Sequence, residues 1–144
     1  MTIITADKVS PRAFVSADLF GCVTSRISQE QGIDLRLAER IMDQVPAFLK
    51  TCADHPHLSL VPSQAIDSGW HTFVLYTRDY AKFCDRAAGR FIHHEPEDAP
   101  ARADQEGHMI CDTVAVIRAS GFEIDEPLWA MEHDPPCRST VLSG

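Results

Sequence analysis

Residues 63–88, SQAIDSGWHTFVLYTRDYAKFCDRAA, read as one long helix, and the fold follows from how that helix is buried. Pro62-Ser63 is a start signal, because a serine hydroxyl can accept from the first unpaired backbone N–H groups. Gly89 is the matching stop, since only glycine enters the left-handed conformation at little cost. With about 100° between successive side chains, Trp70, Phe73, Val74, Thr77, Ala81, Cys84 and Ala88 share one broad stripe. Tyr76 and Phe83 lie on a second side, Leu75 on a third, and Arg78, Lys82 and Asp85 form a narrow polar strip. A helix so apolar around its circumference is expected at the centre of a bundle.

Working outward, Ser10-Pro11 offers a cap and a first-turn proline for a helix through Phe14, Leu19, Cys22, Val23 and Ile27 that ends before Gly32. Asp34 caps the next helix, with Ala38, Ile41, Met42, Val45, Leu49 and Cys52 at helical spacing and Pro46 inside it predicting a kink or break. Leu58–Val61 reads as a short extended crossing. After a polar loop from Glu95 to Arg102, a further helix runs from about Asp104 to Ser120, with Ile110, Cys111, Val114 and Ile117 facing the core. Phe122–Leu128 reads as extended. The sum is an all-α fold: a compact, single-domain bundle of about four helices over residues 1–131, with a loosely ordered tail over 132–144.

Composition narrows the function classes. The 144 residues are 44% hydrophobic and 24% charged, enough to bury one core. A net charge of −8 excludes unaided binding to nucleic acid or to an anionic membrane surface. No apolar run is long enough to span a bilayer, and the start lacks a secretory leader pattern, so a cytoplasmic protein is expected. Its five cysteines, Cys22, Cys52, Cys84, Cys111 and Cys137, are widely spaced and lack a CxxC pair, which in that compartment predicts reduced thiols.

The chemistry-bearing residues cluster around the long helix. Asp67 and His71 are one turn apart, so they can share a metal or form an acid–base pair. Taken alone, plain packing is the simpler reading of the pair, as a local hydrogen bond satisfying a half-buried histidine near a helix start. His71 and Cys84 stand about 20 Å apart along a straight helix. Four extended residues past Gly89 span about 13 Å, enough for His93 or His94 to return to Cys84 but hardly to His71. Two candidate metal clusters result, Asp67 with His71 and Cys84 with His93 or His94, each needing further ligands. His108 with Cys111 and His133 with Cys137 are possible contributors, although packing is the simpler reading of Cys111. His55 and His57 read as surface residues. A Cys84 thiolate with His93 or His94 as base is the nucleophilic alternative, opposed by the apolar surroundings that keep a thiol protonated.

Asp67, Trp70-His71, Tyr80, Cys84, Gly89 and His93-His94-x-Pro96 together resemble the glycine-rich domain-containing protein-like (GRDP-like) family, in its bacterial, actinomycete-type branch. The resemblance covers residues 60–96 and extends weakly over 34–52 and 113–129. It implies a small helical domain of undefined biochemistry and raises the weight on Asp67, His71, Cys84 and His93 as a set. The chain departs from the pattern in having only 7 glycines and, in its tail, only Cys137.

The expected function is therefore a structural or regulatory zinc-binding role at Asp67, His71, Cys84, His93 and His94, zinc following from the softness of Cys and His donors. The alternatives are a small biosynthetic or hydrolytic enzyme using Asp67-His71 or Cys84-His93, and a metal-free interaction domain for a protein or small-molecule partner. If Trp70 belongs to the core, Trp70→Ala lowers unfolding free energy by about 3–5 kcal/mol in a denaturant titration; a loss under about 1 kcal/mol places the ring on an exposed face.

Overall fold

The computed structural model describes residues 11–94 and 103–129, with the side chains of Pro11 and of 103–109 excepted; the expected loop over 95–102 and tail over 132–144 lie outside these. A 3-10 turn, Pro11–Phe14, leads into α1 (Ala17–Gln31), α2 (Leu35–Asp54), α3 (Gln64–Val74), α4 (Thr77–Ala88), α5 (Ala103–Ala119) and a short α6 (Glu126–Trp129). The fold is all-α, with no strand among the described residues. No helix among them is long and apolar enough to cross a membrane.

Local signals explain most boundaries. The first helix starts later than Pro11 suggests, because Ser16 is the cap: its Oγ accepts the Leu19 N–H at 3.1 Å. Gly32, at φ 65°, ends α1 as expected. Asp34 sits at the start of α2 but makes no side-chain cap bond. The 58–61 crossing is irregular rather than paired, and the Thr113 hydroxyl holds it by accepting the Val61 N–H at 2.9 Å. Residues 122–125 are a loop, and the expected extended segment instead finishes in α6.

Packing outweighs local preference at two places, the first being the break that Pro46 allows for. Pro46 does not break α2, which runs unbroken over 20 residues. Proline removes one helical N–H, but Ile41, Met42 and all of Gln44 to Leu49 are buried. Tertiary contacts of that extent stabilise a helix more than propensity does. It is α2, not the 63–88 segment, that occupies the centre and packs against α1, α3, α4, α5 and the 3-10 turn.

The second departure is larger: residues 63–88 form two helices, not one. Leu75 and Tyr76 end α3 with bonds to Thr72 O and Phe73 O, and at ψ 68° Tyr76 leaves helical geometry. Its hydroxyl donates to Cys22 O on α1 at 3.2 Å and accepts from Arg26 Nε–H at 3.1 Å. A straight helix would hold Phe73 and Phe83 about 15 Å apart. With the corner made, their ring centroids are 5.2 Å apart, and Phe73 also meets Tyr80 edge-on at 5.0 Å. One bend thus brings the scattered aromatic stripes of this segment into one core.

The C-terminal elements dock through a buried amide. Gln44 Oε1 accepts from Trp129 Nε1–H at 2.7 Å and from the Asp125 N–H at 3.0 Å, while its Nε2 donates to Glu123 O at 3.1 Å. Arg40 clamps the Asp125 carboxylate at 2.8 and 2.9 Å. Phe48 stands between Trp70 and Trp129, 5.6 and 6.1 Å from them, so α6 joins the same core.

Gly69 of α3 lies in close contact with α2. A Cβ there would lie 2.6 Å from Ile41 Cγ2 and 3.1 Å from Val45 Cγ2. Both neighbours are β-branched and stiff at χ1, so neither can turn aside. Overpacking costs about 1–3 kcal/mol, against a helix-propensity gain of about 0.5–1 kcal/mol. Gly69→Ala is therefore expected to lower stability by about 1 kcal/mol, read as a lower urea midpoint at unchanged slope.

Candidate functional site

The helix α3 presents Asp67, Trp70 and His71, and its start is anchored at Ser63. That hydroxyl accepts the Ile66 N–H at 3.3 Å and donates to Leu128 O at 2.7 Å. Beyond the corner, α4 supplies Tyr80 and Cys84, both buried. Gly89, at φ 72°, ends α4 and sends residues 90–94 back across α3 as a strap.

The strap is fastened at two levels. Ile92 is buried, and both of its backbone polar groups are held from α4: Tyr80 Oη donates to Ile92 O at 2.5 Å, and the Ile92 N–H donates to Cys84 Sγ at 3.4 Å. Tyr80 in turn accepts from Trp70 Nε1–H at 2.9 Å. Burial pushes the Tyr80 hydroxyl above the usual range, so it stays a donor. Two residues on, His94 Nε2 lies 2.9 Å from Asp67 Oδ1 and its ring meets Trp70 edge-on at 4.5 Å. A carboxylate only accepts, so Nε2 carries the hydrogen of that bond. The His71 ring lies 5.8 Å from that of His94 and faces solvent.

The expected pairing of residues is therefore rearranged. The partner of Asp67 is His94, 27 positions away in the chain, with His71 alongside. Cys84 meets the Ile92 backbone, while exposed His93 rests against Phe91 at 4.9 Å. On a straight helix His94 would not reach this turn of α3; the corner at Leu75-Tyr76 brings Tyr80 to Trp70, and the strap then carries His94 to Asp67. Among the described residues no group of three or more His, Cys, Asp or Glu is placed to hold a metal ion. Of the remaining candidates, His55 is half-buried with Nδ1 3.0 Å from Thr51 O, and His57 is exposed. The side chains of His108, His133 and Cys137 lie outside the described residues.

Sequence reading missed the Trp70–Tyr80–Ile92 relay. The signal was present in a buried tryptophan and tyrosine, each needing a partner for its polar atom, but their spacing of ten hid the contact while the helix was taken as straight.

The thiols also differ from expectation. Cys22, Cys52 and Cys84 are free, but Cys111 is disulfide-bonded. It is half-buried on α5.

A family model described as UCP032817-like matches residues 18–114. The chain belongs to the UCP032817-like family. This corrects the resemblance to glycine-rich domain-containing proteins: the UCP032817-like family is a different and uncharacterised one. The residues that carried the resemblance have a physical reading of their own, since Trp70, Tyr80 and Cys84 pack the core and fasten the strap. No curated protein and no solved structure matches the chain.

Thiol reactivity follows from burial in this UCP032817-like chain. Cys22 is exposed on α1, and Cys84 is buried against the strap. Burial pushes the Cys52 thiol up to about 12, the nearby Arg90 acting weakly in the opposite direction. The thiolate is the reactive form. Iodoacetamide at neutral pH is expected to label Cys22 first, with Cys52 and Cys84 modified only on unfolding; peptide mass spectrometry gives the order, and early labelling of Cys52 contradicts it.

Proposed function

We propose that the working surface of this protein is the Asp67–His71–His94 cluster and that it takes up a divalent transition metal, zinc first, in an open site with a regulatory or accessory role in the cytoplasm. The observation that carries this reading is the Asp67–His94 contact at 2.9 Å, joining residues from two elements beside a second imidazole. A metal-binding histidine characteristically donates its other ring N–H to a carboxylate. With Nε2–H engaged by Asp67, the Nδ1 lone pair of a neutral His94 is left for a metal, and exposed His71 can turn to join it. Water or a partner molecule then takes the remaining positions, as at other open zinc sites. The three groups do not stand in ligand geometry as they are, so the proposal requires His71 to change rotamer. Three free thiols accord with a reducing compartment; the Cys111 disulfide does not.

A metal-free interaction domain is the second reading. It is favoured by the large apolar side chains left in solvent near this surface: Leu75, one turn beyond His71 and 52% exposed, and Phe91 in the strap, 43% exposed.

Calorimetric titration of zinc into the chelator-treated chain separates the two. The metal reading expects a single site, abolished by His71→Ala or His94→Ala and weakened on the order of tenfold to a hundredfold by Asp67→Ala, which removes only the orienting carboxylate. A well-folded parent chain that binds no zinc, and carries no metal by elemental analysis after purification without chelator, sinks the metal reading and leaves the interaction domain.

A further inference from the structure

We infer that Tyr80 is a positioning residue for the Asp67–His94 pair: its hydroxyl bolts the strap at Ile92, and His94 reaches Asp67 only while that bolt is closed. The inference rests on the preceding reading for its functional meaning, but the latch itself is a property of the fold. Tyr80 is fully buried and its one hydroxyl serves two groups, accepting from Trp70 Nε1–H at 2.9 Å and donating to Ile92 O at 2.5 Å. Neither group has water to fall back on, because Trp70 and Ile92 are themselves buried. Removing the hydroxyl strands a donor and an acceptor together in a dry interior, where unpaired polar groups are costly. Ile92 can recover a partner by moving its carbonyl into water, and that movement lifts the strap. His94 follows two residues later.

Trp70 links the two levels of the latch. Its indole N–H serves Tyr80, and its ring borders His94 at 4.5 Å. The influence of Tyr80 on His94 passes through Ile92 and the Trp70 ring. The aromatic part of Tyr80 is held separately, by Phe73 at 5.0 Å, Phe91 at 5.3 Å and Phe83 at 6.3 Å. Tyr80→Phe therefore keeps the ring packing and deletes the hydroxyl with its bonds to Ile92 O and Trp70 Nε1–H.

The test reads the ring protons of His94 by NMR without metal. In the parent chain these resonances carry the ring current of Trp70 and move on Asp67→Asn. In Tyr80→Phe they are expected at the positions of the exposed His57, and adding Asp67→Asn should no longer move them. The Trp129 indole N–H, held on Gln44, should stay in place as a report of an intact core. His94 shifts and an Asp67→Asn response unchanged in Tyr80→Phe overturn the inference. Should the variant fail to fold, hydrogen exchange in the parent decides. Protection of the Trp70 indole N–H and the Ile92 amide of the same order supports a single opening event; protection differing by orders of magnitude overturns it. If the parent binds no zinc, the metal reading falls, while the ring shifts still decide the latch.

Discussion

The hydrogen bond from Trp70 Nε1–H to Tyr80 Oη joins two helices that the amino-acid pattern writes as one. Its two residues are ten positions apart, about 15 Å along a straight helix, so the bond exists only because the chain turns at Leu75-Tyr76. Everything on this side of the molecule depends on that turn. It gathers Phe73, Tyr80 and Phe83 into one aromatic cluster. It redirects α4, so that residues 90–94 return to α3 and His94 meets Asp67 and Trp70. It also places a tyrosine hydroxyl where a strap carbonyl needs a donor.

The docking of the C-terminal elements depends on a comparable economy in Gln44. One buried amide satisfies the Asp125 N–H, Glu123 O and Trp129 Nε1–H, and so ties the chain after α5 to the central helix. No buried side-chain nitrogen or oxygen among the described residues lacks a partner. A core so fully paired specifies one arrangement strongly, because each displaced element would strand a polar group. The unbroken passage of α2 through Pro46 belongs to the same logic, since a helix buried over most of its length is held by its neighbours.

Legibility differed between the fold and the site. Ser63, Gly32 and Gly89 act through backbone bonds a few residues away, so their effect can be read without knowing the fold. The all-α class and most of the core face of α2, with Ile110, Val114 and Ile117 of α5, follow from periodicity for the same reason; on α1 it placed Val23 and Ile27 but took exposed Cys22 for an apolar position and passed over buried Phe20. The corner at Tyr76 could not be read this way, because its cause lies on α1, in Cys22 O and Arg26. At the site, Asp67, His71 and His94 were each visible as candidates, and Asp67 with His71 follows from one helical turn. That His94 rather than His93 would arrive, and at Asp67 rather than Cys84, was not visible. It depends on the path of the strap, and the path depends on the corner.

What the sequence determined by itself is the local part: a helical chain, its caps and stops, the residues able to bury, and a short roster of side chains able to do chemistry. These rest on interactions within one or two turns, whose geometry is the same in any helix. The tertiary structure decided which of those side chains meet. It moved the centre of the bundle to α2, split one predicted helix at Tyr76, turned Cys84 into a backbone partner of Ile92, and set His94 against Asp67 beside His71. Those outcomes required partners distant in the chain, where a change of direction at two residues alters every later distance by many ångströms.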